Sequence, residues 1–445
     1  MLRIVVRSKR DADAVKAMLN ILYPEWNVDV FTMHGARSLD AMIKELEPYL
    51  SDDKFITILL GREDEKIVRE LENILPINAA VHVVPKAKVR NARIEEIAHH
   101  LELCKSKIRL RVKWKDKENI YTLGKDGIEL ENYEYHPAYD IFLGFGFREV
   151  LKRALNIDVN DYPLIVRKFE GIHEVYVGFR RAVLLKIPDI GCSFKGRIVN
   201  EDLDHYNIDL DKLIRNNITY LQIFEKISIN FLKQFKDYDT IVIPWSGGKD
   251  STAVLLMALK VFPKDKLRII YSDTGLEFSQ TSKYINELAK RFKIEVIREY
   301  AGIDKELLNG KPLPTHDYRW CTGLKLEALR RGIRKYSSGK VLILTGDRDV
   351  ESEKRAKRPL IRKDNEIEAT VATPIKFWCT LHVQLYLLAH NVKLNPLYYH
   401  GFYRIGCYIC PALRSWELYI MLNDEKVRRE LESKFFFKEF INHRC

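Results

Sequence analysis

One stretch constrains this chain more than any other: the apolar run Asp239-Thr-Ile-Val-Ile-Pro-Trp245, then Ser246-Gly247-Gly248-Lys249-Asp250-Ser251, then the apolar helical run Thr252–Phe262. A buried strand that turns through two glycines straight into a helix belongs to an open α/β sheet. Such a turn is also an anion site by construction. Glycines let the backbone approach a phosphate closely, N–H groups point inward, and the helix start carries roughly half a positive charge. Lys249 and the hydroxyls of Ser246 and Ser251 add donors. The spacing is not the Gly-x-x-x-x-Gly-Lys-Ser/Thr of a Walker loop.

The flanking patterns extend this reading. A long amphipathic helix, Asp209–Phe235, comes before the loop strand, and strands Leu267–Tyr271, Ile294–Ile297 and Lys340–Leu344 alternate with helices after it. Residues 206–425 are therefore predicted to form a doubly wound α/β domain with a mostly parallel sheet. Residues 1–104 alternate strands (Arg3–Arg7, Asn27–Thr32, Lys54–Leu60, Ala79–Val84) with helices (Asp11–Leu22, Ser38–Leu50, Glu63–Leu75, Ala92–Leu103), which predicts a small α/β domain. Gly61-Arg-Glu-Asp-Glu follows a strand and reads as a charged helix start rather than an acidic metal site. Residues 105–205 read as a β-rich α+β module. It has strands Ile108–Trp114 and Tyr121–Glu131 around the turn signal Lys125-Asp126-Gly127, a strand pair in Glu174–Ile187, and a short helix, Phe147–Asn156. Such a module suits either RNA binding or a structural adaptor. Residues 426–445 form a C-terminal tail.

Composition narrows the partners. Of 445 residues, 46% are hydrophobic, which excludes general disorder and a disulfide-stapled miniprotein. Lys+Arg 74 against Asp+Glu 62 gives a net charge of +12. That balance fits phosphate-bearing partners, with a generic charged surface as the alternative. No apolar run reaches the ~18–20 residues of a membrane span, and the start reads as a strand rather than a secretory signal. A cytoplasmic location without a membrane partner is the expectation.

At this point the sequence resembles a known family. Ser246–Ser251 resembles the PP-loop of the adenine-nucleotide α-hydrolase-like (HUP-like) superfamily. Asp273-Thr-Gly-Leu-Glu-Phe278, Arg319-Trp-Cys-Thr322 with Lys325, and Gly346-x-Arg348-x-x-Glu351-Ser352-x-x-Arg355 resemble motifs of the phosphoadenosine phosphosulfate (PAPS) reductase family. Pro374 with Trp378, Asn395-Pro-Leu-Tyr398 and Arg404-x-Gly406-Cys407-x-x-Cys410-Pro411 complete the likeness over roughly residues 215–425. It implies an adenine nucleotide (ATP, PAPS or adenosine phosphosulfate, APS) bound through Ser246, Gly247, Gly248, Lys249, Asp250 and Ser251.

The side chains suggest roles of their own. Asp273, at the carboxyl end of a strand, suits ribose hydroxyls or Mg2+, with a helix N-cap as the alternative. Arg348 and Arg355 offer forked recognition of phosphate or sulfate, and Glu351 orients one of them. These three are the catalytic candidates; a solvated charge run is the competing view. Cys407 and Cys410, spaced Cys-x-x-Cys, together with Cys321 are the metal candidates. Thiolate-only ligation suits zinc or an iron–sulfur cluster, and the resemblance favours 4Fe–4S. Cys379 is the nearest candidate fourth ligand. Cys104 and Cys192 are expected to pack as buried apolar groups, and disulfides are not expected in a cytoplasmic chain. The Glu-Cys-Gly-x-His tail of PAPS reductases is absent. Cys445, beside His443 and Arg444, is either a thiol of lowered pKa or an incidental terminal thiol.

Three readings follow: reductive sulfur chemistry on a sulfonucleotide, with an electron donor; ATP-dependent adenylation leading to thiolation of RNA such as tRNA; and a non-catalytic nucleotide- or RNA-binding protein.

Overall fold

The structure is a computed structural model that describes residues 1–201 and 206–445. The strand Leu2–Val6 is the second of a four-stranded parallel sheet, in the order Asp29–Thr32, Leu2–Val6, Phe55–Gly61, Ala79–Val84. Every residue of Phe55–Gly61 is buried, as a central parallel strand covered on both faces requires. The helices Lys9–Leu22, Leu39–Leu46, Glu65–Ile74 and Ile94–Arg109 link and cover this sheet. The acidic stretch after Gly61 is a short turn leading into a helix. Its Glu63 and Asp64 are engaged by Arg7, at 3.1 and 2.5 Å.

The helix Ile94–Arg109 runs past the expected end at Leu103 and through the expected boundary at 104. Residues 108–109, expected to open a strand, are therefore helical. The cause is tertiary. Lys105, on that last turn, reaches buried Asp349 at 2.9 Å, and Lys376 meets the same carboxylate at 2.7 Å. Breaking a buried pair of this kind costs about 3–5 kcal/mol, more than local strand preference supplies.

The strands that follow are shorter than expected, Lys113–Lys115 and Ile120–Thr122. Their turn lies at 116–119 rather than at Lys125–Gly127. Beyond it, Gly127 (φ 130°) brings Ile128 back to a single bridge with Trp114. A five-stranded antiparallel sheet completes the module, in the order Lys195–Ile198, Arg180–Lys186, Ile172–Val177, Leu164–Arg167, Asp140–Leu143.

The expected doubly wound sheet is present. Its order is Val296–Tyr300, Leu267–Asp273, Thr240–Pro244, Val341–Leu344, Ala369–Ala372, Ile361–Asp364, and only the last strand is antiparallel. The charged stretch after Glu351 hides that last hairpin. Asp209 caps the helix Leu210–Lys233 by accepting from the Lys212 N–H at 3.0 Å. One hydrophobic cluster runs through all three segments, from Leu2 through Trp114 to Trp378. Phe55, Phe224 and Phe377 meet edge to face at 5.0 and 5.3 Å, each contact worth roughly 0.5–1.5 kcal/mol. Among the described residues no helix is long and apolar enough to cross a membrane.

Candidate functional site

The strand Thr240–Pro244 lies between Leu267–Asp273 and Val341–Leu344, where the sheet order reverses. Ligands of open α/β sheets bind at the carboxyl edge of such a point. The loop that leaves it is held by its own hydroxyls. Ser251 Oγ accepts from the Ser246 N–H at 3.3 Å and donates to Gly248 O at 3.1 Å. The N–H of Lys249, the first helical residue, donates to the Tyr398 hydroxyl at 3.1 Å. The two glycines do different work. Gly247 has φ 72°, and an added Cβ would meet Ile285 at 3.0 Å, on the side packed against the protein. Gly248 has ordinary φ and lines the cavity, so an added Cβ there would stand over Ser246 Oγ at 3.3 Å. Close approach of a phosphate therefore belongs to Gly248, and backbone conformation to Gly247.

A cavity of about 490 Å3 opens over this loop. Arg348 is buried at its floor, with Nε 2.8 Å from Asp250 and Nη1 3.3 Å from Asp140. Burial alone would push the Asp140 carboxyl up. Arg348, Arg167 and two hydrogen bonds from Thr380 outweigh that and hold it below the usual carboxylate range. Asp250 is likewise raised by burial but lowered further by Arg348 and Lys249, and Lys249 Nζ stands 2.8 Å away. Arg355 pairs with Glu351 and lies 3.6 Å from Asp347. Glu351 Oε2 accepts from the Arg348 N–H at 2.9 Å, which fixes the turn between them. All three catalytic candidates thus line the cavity, but Arg348 and Arg355 already hold carboxylates.

Two other cations in the same cavity stand farther from its carboxylates. Arg167 and Arg404 make no ion pair among the described residues and donate instead to the carbonyls of Val350 and Ala412. Arg167, Asp140 and Phe142 all come from the β-rich module, which forms one wall of the cavity. No local motif in the sequence marks them. Their only signal is that two charged residues border the short apolar strands 140–143 and 164–167.

A second cavity, of about 240 Å3, touches the first at Ser246 and Ile405. Its walls are apolar at Ile270, Leu326 and Leu329, and polar at Glu277, Lys325 and Cys407. Asp273 lines neither cavity; its carboxylate accepts from the Gly275 N–H at 3.0 Å and sits 4.0 Å from Arg298. Glu277 takes the place beside the cavity that Asp273 was expected to hold. Its carboxyl is pushed up chiefly by burial.

Cys321, Cys407 and Cys410 gather around Lys325. The ammonium is held in its charged form first by Cys407, against burial, and then by Cys410, Glu277 and Cys321. Cys407 and Cys410 share one proton. Their hydrogen bond draws Cys410 below the ordinary thiol range and pushes Cys407 above it. Yet among the described residues no three Cys, His, Asp or Glu side chains stand close enough to hold a metal ion. The three sulfurs as placed do not form a cage for a zinc ion, the alternative to the 4Fe–4S cluster that the resemblance favours, and Lys325 brings a positive charge beside them. Cys379 stands apart, buried with Sγ 2.8 Å from His382 Nδ1, and its electrostatic neighbours are Asp140 and Arg348. It is not a fourth member of the trio.

The remaining cysteines divide. Cys104 is buried and faces the carbonyls of Ile58 and Ala80, as expected of a packed thiol. Cys192 and Cys445, expected to be a packed thiol and a free terminal one, are instead joined in a disulfide with Cα atoms 5.2 Å apart. Arg444 brings the chain end there by donating to Pro411 O, Leu413 O and Asp189 O at 2.6–2.7 Å.

Residues 240–413 match the family model of the phosphoadenosine phosphosulfate reductase domain. An uncharacterized protein of Methanocaldococcus jannaschii is 34% identical over 293 residues, 62% of this chain and 58% of its own length. A second from the same organism is 34% identical over 59% of this chain and 63% of its own length. The chain thus spans about three fifths of these two relatives. Adenosine 5'-phosphosulfate reductase of Mycolicibacterium smegmatis is 32% identical over 36% of this chain and 67% of its own length. Among solved structures, PAPS reductase of Candida auris aligns over 43% of this chain and 96% of its own, with 18% identity and a TM-score of 0.35.

Proposed function

The chain belongs to the phosphoadenosine phosphosulfate reductase family, and from that premise we propose that it is a sulfonucleotide-reducing enzyme whose thiol couple is Cys407–Cys410. The observation that carries this reading is the meeting of the two cavities at Ser246. One is lined by phosphate-binding loop and cations, the other by apolar side chains, Lys325 and Cys407. An adenine nucleotide would lie across the junction at Ser246, its phosphate over Gly248, Lys249, Arg167 and Arg404 and its sulfonyl group beside Lys325 and Cys407. Unpaired guanidinium groups in a protein cavity favour an anion strongly, because burial has already stripped part of their water.

The chemistry proceeds by two displacements. The Cys407–Cys410 pair carries one negative charge, stabilised by Lys325, and Cys407 is the member that faces the cavity. Cys407 passes its proton to the Cys410 thiolate as it attacks the sulfonyl sulfur of APS, forming an S–S bond and breaking the S–O bond, so that AMP leaves. Cys410 then gives that proton up to solvent and attacks Cys407 Sγ, and sulfite departs with the bonding electron pair. The two thiols are oxidised to a disulfide, which an external electron donor reduces. No step requires a metal. Incubation with APS and a dithiol reductant should release AMP and sulfite in equal amounts. Absence of sulfite under these conditions overturns the reading.

A second reading rests on a separate observation. The loop cavity also carries four carboxylates, Asp140, Asp250, Asp347 and Glu351, which suit the divalent cation that accompanies ATP. On that reading the enzyme adenylates a substrate, such as an RNA, and releases pyrophosphate. Pyrophosphate from ATP, with no sulfite from APS, selects it. Tight nucleotide binding without either product selects a non-catalytic role.

A further inference from the structure

The N-terminal sheet has the same topological property as the loop-bearing sheet. Its order places Leu2–Val6 beside Phe55–Gly61, and the chain leaves these two neighbours in opposite directions. The crevice outside their carboxyl ends is where open α/β sheets take ligands. A cavity of about 300 Å3 lies there. Three loops meet around it: Arg7–Arg10 after the first strand, Gly35 and Arg37 after the second, and Lys88 with Arg90 after the fourth.

The third loop is drawn in by backbone contact. Arg62 N–H donates to Lys86 O at 2.7 Å, and an added Cβ on Gly61 would come within 2.3 Å of Ala87 O. Only glycine allows that approach, so the crevice is built rather than incidental. Its lining carries six cationic side chains. Three hold the structure together: Arg7 on Asp64 and Glu63, Arg90 on Asp11 at 3.3 Å, and Lys88 on Glu63 at 3.8 Å. Lys9, Arg10 and Arg37 make no ion pair among the described residues, so their charge is left for a ligand.

We propose that this crevice is a second anion site, which binds the phosphoryl group of a phosphorylated ligand, either a small phosphate compound or the end of an RNA strand. Arginine forks match phosphate geometry, and the volume admits a phosphoryl group with its immediate substituent. The site is separate from the sulfur chemistry proposed above and does not depend on it.

The test uses the full chain with Gly248→Val, which weakens binding at the loop cavity, and two probes: inorganic pyrophosphate and a 5'-phosphorylated oligoribonucleotide. At least one probe should bind this protein. Adding Lys9→Glu with Arg37→Glu should weaken it tenfold or more and flatten the salt dependence of affinity. Both side chains lack partners, so the unfolding midpoint should not move; should the double charge reversal unfold the chain, Lys9→Gln with Arg37→Gln should still give a smaller loss. Weakening of pyrophosphate identifies a small ligand, and weakening of the oligonucleotide alone identifies RNA. No binding of either probe to the Gly248→Val protein, or equal affinity with and without the charge reversal, overturns the site.

Discussion

Two parallel sheets in this molecule each present a cavity at the carboxyl edge of a strand-order reversal, yet they are charged differently. Over the Ser246–Ser251 loop most cations are already committed: Arg348 to Asp140 and Asp250, Arg355 to Glu351, Lys249 to Asp250. At the N-terminal crevice half of the cations are committed and half stand free. The difference separates two uses of the same residue types. Buried pairs fix geometry, and their loss unfolds a wall. Open cations fix little and serve only what binds them.

The contrast breaks most visibly at Arg348. Arg348→Ala leaves Asp140 and Asp250 buried without their partner and should cost about 3–5 kcal/mol, read by urea denaturation. A loss below about 1 kcal/mol would mean that the pairs are not structural. A pH dependence comes next. Glu417 is buried behind the loop cavity, and burial pushes its carboxyl up to about 7. Folded protein then keeps a proton that unfolded protein has already released. Stability should fall as pH rises from the ordinary glutamate range to about 7, by about 2–3 kcal/mol in all. Glu417→Gln should flatten that slope in denaturation series at stepped pH.

Third, Gly248→Val should weaken nucleotide binding tenfold or more, about 1.4 kcal/mol, with the fold intact. Gly247→Ala should instead show mainly a stability loss of about 1 kcal/mol, from its positive φ. Calorimetric titration beside thermal melting separates the two, and interchanged effects would reverse the assignment of the glycines. The smallest effect sharpens the comparison from the other side. Lys9→Ala and Arg37→Ala should each leave stability within about 0.5 kcal/mol, because neither side chain holds anything in the fold.

The two sites were unequally legible in the sequence. The loop is six consecutive residues between a strand and a helix, so local pattern suffices to find it. Its motif partners Arg348, Glu351 and Arg355 follow the strand Val341–Leu344, at fixed spacing. The opposite wall was not legible, since Asp140, Phe142 and Arg167 belong to another module and reach the cavity only through an antiparallel sheet. The N-terminal crevice was missed for a related reason: its cations are spread over positions 7–10, 37 and 88–90, and only strand order unites them. The helix at 94–109 overran its predicted end because Asp349, some 240 residues away, claims Lys105. Asp273 misled in the opposite way: its position at a strand end was right, but its carboxylate is spent on Gly275.

The central claim is that Cys407 and Cys410 act as a thiol couple on a nucleotide held over Gly248. A single turnover with APS in the absence of reductant tests it most directly. With Cys410→Ser the resolving thiol is gone, so the account predicts that mass spectrometry finds an S-sulfonate on Cys407 together with stoichiometric AMP. An unmodified Cys407 and no AMP, from protein that still binds the nucleotide, would contradict it.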